Sequence, residues 1–409
     1  MTIGQARFRC VLSVILAWCA LALTGLASAG TATAATTWTR VSAGVVYRWF
    51  DITAAKGTAR AHLLSVDLRD PRVSVGLLYP GAVGARAPVS VLADRAHAVA
   101  GVNGDFFNIT ETQHPGVAAT GAAVGPAVVD GQELKAAVPD GQRFGPALPP
   151  GTTTRDVLGV GRDGTARLGR LALDGTVTTP TGRMPLGGLN QYAIPVGSVG
   201  AFTSVWGTVS RLRATCGTDT DRAAPCSTDT HEVTVRGGRV VASAGAPGKG
   251  AIAADSEVLV GREAGAAALR SLRIGDAVTV RHQLVEGRSR TPYRFAVGGY
   301  PIMRGGTPLS GLDVVTSAVR TAAGIADDGH ALLLLALDGD GEFRSGLTVA
   351  EVASVLRQAG AVDAVNLDGG GSSTLVTRAN GARTVTVRNH PSGGTERAVA
   401  NGIGVFYGG

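Results

Sequence analysis

Lysine is nearly missing from this 409-residue chain, which holds only Lys56, Lys135 and Lys249 among its 38 basic residues. There is no lysine cluster and no basic helix interleaved with aromatics, so nucleic acid is not an expected partner. Aromatic residues are also scarce, at 5%. Beyond the N-terminus no apolar run could cross a membrane as a helix. The best one, "HALLLLALDG" at residues 330–339, is too short and reads as a buried strand. No repeat of fixed period and no long low-complexity linker appears. Glycine, by contrast, is abundant at 59 residues, which favours many turns and short strands over a helical bundle.

The first residues have the parts of a secretory leader. Arg7 and Arg9 precede the apolar run "VLSVILAWCALALTGLASA", and small-x-small cleavage sites follow at residues 27–29 and 32–34. The alternative is a retained anchor. A leader at residues 1–35 predicts a secreted or extracytoplasmic protein, beginning between about residues 30 and 36, with no stable membrane insertion after cleavage. Cleavage removes two arginines and no acid, so the formal net charge falls from +7 to +5. It also removes Cys10 and Cys19. The remaining pair, Cys216 and Cys226, lies in a polar loop without zinc-site spacing, and export predicts a local disulfide. A mildly basic, arginine-rich exported protein suits anionic ligands such as phosphorylated glycans.

Along the chain, alternating runs such as "VVYRWFDI" and "ARAHLLSVDL" predict strands. "PVSVLADRAHAVAGVNGDFFN" predicts a short helix, a strand and a polar loop. Residues 138–287 form a β-rich middle region of short runs and glycine turns, including a hairpin at Gly237-Gly238. Residues 36–137 and 288–409 flank it as N-terminal and C-terminal parts. In the last third, "RTAAGI" and "ALLLLALDG" read as adjacent buried strands. "TVAEVASVLRQAGA" reads as a helix with a Thr348/Glu351 capping box and Gly360 at its end. "VDAVNLDGG" follows as a strand.

That strand ends in "DGGGSST", residues 368–374. Consecutive glycines let a backbone approach a ligand and can turn amides into an anion-binding concavity. Ser372, Ser373 and Thr374 add hydroxyls suited to phosphate or sugar, and Asp368 stands at the strand end. The plain alternative is a tight turn capped by Asp368. No lysine follows, so it is not a P-loop, and the spacing is neither a dinucleotide fingerprint nor a nucleophile elbow. In "VNGDFFN", Asn103 and Asp105 alternate at a strand end and can face one way; the alternative is a core edge with a capping Asn. Arg320 before an apolar strand needs an anionic partner if buried, and Asp338 or Asp368 could supply it. Arg397, in "TERAVANG", is a second basic candidate near Glu396 and Asn401.

Asp338, Asp340 and Glu342 alternate with glycine in "DGDGE", which invites calcium but lacks a full EF-hand loop; a solvated turn is the default. No cofactor is firmly implied and no metal set is assigned. His97, His114 and His390 show no ligand spacing, and His390 beside Pro391 reads as a loop residue.

The words "RTAAGI", "LLLALDG", "SGLTVAEVASVLRQAGAVDAVNLDGGGSSTLV" and "ERAVANGIGVF", with "GVNGDFFN" upstream, resemble the phosphodiester glycosidase family. The resemblance implies an α+β fold built on a mixed sheet with few helices. It also implies a hydrolase acting on a sugar 1-phosphodiester, such as one of N-acetylglucosamine. The family usually reads Asp-Gly-Arg after the strand ending at Asp338, and here Asp340 stands in the arginine's place; if that arginine grips a phosphate, either Arg344 substitutes for it or the phosphate site is altered.

Such an enzyme would release free sugar and a phosphomonoester from a phosphorylated glycan or cell-wall polysaccharide of the cell envelope. Asp368 is the expected carboxylate acting on the sugar, with Asp338 or Asp105 as its partner. Asn103, Arg320, Gly369, Gly370, Gly371, Ser372, Ser373, Thr374 and Arg397 are expected to hold substrate. The alternatives are a metal-assisted phosphodiesterase and a non-catalytic glycan-binding protein.

Overall fold

The seven residues Ala331–Leu337 alternate between two apolar environments, and that double burial makes them a central strand. In the computed structural model, which describes residues 32–35, 37–287, 289–290 and 293–408, this strand sits inside a nine-stranded sheet. The sheet order is Ala32–Ala35, Val45–Ala54, Gly57–Asp67, Ala331–Leu337, Thr321–Ala326, Asp363–Leu367, Tyr300–Arg304 and Thr307–Pro308, with Thr39–Ser42 beside Val45–Ala54. Neighbouring strands in it run antiparallel, so Ala331–Leu337 and Asp363–Leu367 point the same way with Thr321–Ala326 between them. Residues 1–31 of the expected leader lie outside the described residues, and its last four form the strand Ala32–Ala35.

The connection between those two strands is the helix Val349–Gln358, whose Val349, Val352, Ala353 and Leu356 pack on the sheet. Its capping box is complete: Glu351 N donates to Thr348 Oγ1 at 3.2 Å, and Thr348 N donates to Glu351 Oε2 at 2.8 Å. Such a cap stabilises a helix by about 1 kcal/mol. Gly360 follows at φ +101°, a left-handed stop that a β-carbon would disfavour.

The opposite face of the sheet meets a five-stranded antiparallel sheet ordered Thr386–Val387, Leu375–Thr377, Ala100–Asn103, Gly402–Tyr407 and Val73–Leu78. A third sheet carries Asp156–Gly161, Ala166–Thr179 and Thr279–Glu286, hydrogen-bonded onward to Tyr293–Gly298 and Ala127–Val129. Strands from the middle region and from both flanking parts therefore share this sheet. The chain passes from it into the nine-stranded sheet at Gly299, between Tyr293–Gly298 and Tyr300–Arg304. A fourth sheet, wholly in the middle region, holds the Gly237-Gly238 hairpin and the parallel pair Gly188–Leu189 with Val199–Phe202. The fold is α+β with few helices. One helix, Ala264–Arg270, was not foreseen among the β-like runs, although "AGAAALR" is rich in helix formers.

Candidate active site

Strands Ala331–Leu337 and Asp363–Leu367 end in the same tripeptide, Leu-Asp-Gly, at 337–339 and 367–369. They are two strand positions apart, so their aspartates stand on the order of 10 Å from each other at one end of the sheet. The surroundings of the two are opposite.

Asp368 sits half-buried between the strand end and the glycine turn. Burial is the main influence on its carboxyl. Hydrogen bonds from Ser372 and the Gly369 amide and the nearby Arg397 charge pull the other way, while Asp105 adds repulsion; the result is pushed up to about 7. A carboxyl that ionises near neutrality is suited to proton transfer or attack at working pH. Each glycine of the loop has its own reason. A β-carbon on Gly369 would lie 2.4 Å from Val319 O, Gly370 has φ +60°, and a β-carbon on Gly371 would lie 2.4 Å from Arg397 Nη2.

The loop amides mostly satisfy their own turn. Gly370 N donates to Val319 O at 2.8 Å, Ser372 N to Gly369 O at 3.1 Å, and Ser373 N to Gly370 O at 3.2 Å. The expected anion-binding nest is thus largely spent on folding the short 3-10 turn Gly370–Ser372. Ser373 is buried and shares a hydrogen bond with Thr321 at 3.0 Å, and Thr374 Oγ1 is buried without a partner. Ser372 alone of the three hydroxyls turns to Asp368, and Arg397 Nη1 donates to it at 3.3 Å. Arg397 itself is exposed. Glu396 beside it is engaged elsewhere, accepting from Ser90 N and Oγ at the start of the helix Val89–Arg95.

Asn103 is the hub under this loop. Its Nδ2 donates to Asp368 O at 2.6 Å, while its Oδ1 accepts from Thr321 Oγ1 at 2.8 Å and Thr374 N at 3.0 Å. Fully buried, it fixes the loop instead of facing a ligand. The strand ends at Asn103, so Asp105 does not share its direction as the alternation predicted. Asp105 N donates to Asn401 Oδ1 at 2.9 Å. Its carboxylate is buried and accepts from Gly125 N at 2.6 Å; a β-carbon on Gly298 would lie 2.4 Å from it. Burial raises Asp105 and lowers the buried Lys135, each charge partly offsetting the other's shift. Asp105 is buried, and its charge adds to the upward push on Asp368. Phe106 and Phe107 are core residues, Phe106 stacking on Tyr300 at 4.9 Å.

Asp338 is buried and saturated with donors. His62 Nε2 lies 2.9 Å from Oδ1, His390 N donates to Oδ1 at 2.7 Å, and His390 Nδ1 lies 3.2 Å from Oδ2. Burial is the largest influence and works upward, but the donors together hold this carboxyl below the usual range. Its contacts are with the two histidines, His62 and His390. Tyr47 Oη lies 2.8 Å from His62 Nδ1, closing a buried chain from Tyr47 through His62 to Asp338. Asp340 and Glu342 are exposed in the next turn, so the three acids of "DGDGE" do not converge. Among the described residues the one metal-like cluster is His114 with Cys216 and Cys226. Those cysteines are bonded to each other, and His114 is held by Glu111 at 2.5 Å.

Arg320 also departs from expectation. It is buried, but its guanidinium donates to Leu347 O at 3.2 Å and Thr316 O at 2.9 Å, and neither Asp338 nor Asp368 pairs with it. Main-chain carbonyls supply the partners that a carboxylate was expected to give. Sequence reasoning missed Tyr47, His62, Asn389 and Lys135, and read His390 as a plain loop residue. Asn389 links the Leu337 strand end to the far side of the glycine loop, donating to Leu337 O at 3.1 Å and Ser373 O at 2.9 Å.

Residues 229–406 match the phosphodiester glycosidase family. That span contains both Leu-Asp-Gly ends, the glycine loop and Arg397, and the resemblance carried by those motifs holds. The fold is similar to that of a hypothetical protein from Synechocystis, with a TM-score of 0.67, 21% identity, and coverage of 90% of this chain and 63% of that one. It is also similar to a candidate exported protein from Burkholderia pseudomallei, with a TM-score of 0.69, 21% identity, and coverage of 91% and 96%. The catalytic domain of zebrafish N-acetylglucosamine-1-phosphodiester alpha-N-acetylglucosaminidase, auto-inhibited by its pro-peptide, aligns at 16% identity, covering 93% and 88%, with a TM-score of 0.44. No curated protein matches the chain.

Proposed function

We propose that the protein is a secreted glycosidase that cleaves the anomeric carbon–oxygen bond of a sugar 1-phosphodiester, releasing free sugar and a phosphomonoester. The family match supports phosphodiester glycosidase chemistry and a phosphorylated glycan as substrate class. The observation that carries the site assignment is Asp368, a carboxyl pushed up to about 7 at the edge of the glycine loop, beside Ser372 and Arg397. A phosphate leaving group is already acidic and needs little protonation. The enzyme's task is to hold the phosphate, stabilise an oxocarbenium-like transition state and bring water or a carboxylate to the ring. Asp368 in its ionised form does the last of these. Asn103, Gly369 and Gly370 shape the loop that presents it, and Gly371 leaves room for Arg397.

The test is product analysis on a panel of sugar 1-phosphodiesters, N-acetylglucosamine among them, with and without chelator. Free sugar plus phosphomonoester, unaffected by chelator, is the expected result. Sugar 1-phosphate would establish phosphorus–oxygen cleavage instead. Binding with no turnover across the panel would make the protein a glycan-binding one.

A further inference from the structure

His390 is built into the fold more firmly than an exposed loop residue requires. Its amide and its Nδ1 both bond to Asp338, at 2.7 and 3.2 Å, and its carbonyl accepts from Gly339 N at 2.7 Å. The loop lies so close to the strand end that a β-carbon on Gly339 would come within 2.2 Å of Ser392 Oγ. Yet the side chain of His390 is 72% exposed. The carboxylate beneath it is also held from behind by His62, whose second nitrogen is taken by Tyr47. Of the two rings on Asp338, His62 has both nitrogens committed inside the protein. His390 has one committed and turns Nε2 outward.

We propose that His390 is a phosphate-contacting residue of the site and that Asp338 is the positioning residue that orients it. This rests on the sugar 1-phosphodiester reading above and assigns the two Leu-Asp-Gly ends to the two halves of that substrate. The sugar lies over Asp368 and the phosphate over His390, with Asn389 tying the Leu337 end to the glycine loop. With Nδ1–H donating to Asp338, a second proton on Nε2 makes the ring a cationic donor toward a phosphate oxygen. The buried carboxylate balances that charge from below. The other charged groups around the assembly are Arg60, whose charge bears on Asp338, Glu342, whose charge bears on Arg60, and Arg388, whose charge bears on Tyr47. Arg60 is already paired with Asp51 at 2.7 Å and Arg388 Nε donates to Thr377 Oγ1 at 2.5 Å, which leaves His390 as the group turned outward from Asp338.

The probe is inorganic phosphate, titrated into the intact protein while the His390 ring signals are followed by NMR and assigned with the His390→Gln variant. The ring signals should move saturably, and His390→Gln should weaken phosphate binding by about tenfold or more. On a turned-over phosphodiester the same variant should raise KM, with kcat within a few-fold. Asp338→Asn should weaken phosphate binding in step, and His390→Arg should restore part of it. Product identity stays the same in all of these variants, so failure here is distinct from failure of the reaction assignment. Ring signals unmoved by saturating phosphate, or phosphate binding undiminished in His390→Gln, would overturn the proposal.

Discussion

Leu337-Asp338-Gly339 and Leu367-Asp368-Gly369 are identical words at parallel strand ends, yet they have become different chemical objects. At the first, two histidines and an amide converge on the carboxylate and keep it ionised below the usual range. At the second, the carboxyl has fewer donors, a buried acid behind it and a glycine loop over it, and it ionises near neutrality. The lesson is that the donors reaching a carboxylate from elsewhere in the chain, and not its local sequence, decide whether it is a structural anchor or a reactive group.

The comparison breaks most visibly at Asp368. Asp368→Asn should retain the fold and lose on the order of a hundredfold or more in turnover of a sugar 1-phosphodiester. Its effect on stability has a definite sign. The folded-state pKa lies above the ordinary carboxyl value, so the unfolded chain gives up its proton first as pH rises. Wild type should therefore lose stability from this group between about pH 4 and pH 7, and Asn should flatten that loss. Thermal melts across that range check it.

Asp338→Asn should instead act on the fold first, costing about 3 kcal/mol at neutral pH because His62 and His390 lose a buried charged acceptor. Its linkage runs the other way. The folded pKa lies below the ordinary value, so this stability is present above about pH 4 and lost as pH falls through the folded value. Denaturant titrations at neutral and acid pH separate the two aspartates.

Smaller effects sharpen the contrast between the loops. Gly369→Ala meets the Val319 carbonyl and should destabilise by roughly 2 kcal/mol or more, whereas Gly370→Ala meets only positive φ and should cost about 1 kcal/mol. Melting temperatures of the two variants should rank in that order. In the other turn, the exposed Asp340 and Glu342 should be dispensable. The double change to Asn and Gln should leave turnover within a few-fold, and a dead, chelator-sensitive enzyme would expose a metal site there.

Much of this was legible in the chain. The capping box at Thr348, the Gly360 stop, the Gly237-Gly238 hairpin and the buried strand at 331–337 follow from local pattern, because the forces that form them act over a few residues. The strand Asp363–Leu367 and the glycine turn after it were equally readable from "VDAVNLDGGG". What was hidden depends on contacts far apart in sequence. His62 and Asp338 are separated by 276 positions, and Asn103 and Asp368 by 265, so no local word announces either bond. Arg320 misled for the same reason: its partners are carbonyls, which every residue carries and no sequence motif marks.

The most direct test of the account is a carboxyl titration by carbon-13 NMR, with Asp338 and Asp368 assigned from their Asn variants. The account predicts one aspartate midpoint near pH 7 that vanishes in Asp368→Asn, while the Asp338 signal stays ionised until pH falls below the usual carboxylate range. Two ordinary midpoints near pH 4 would contradict it, and would return Asp368 to the role of a turn residue.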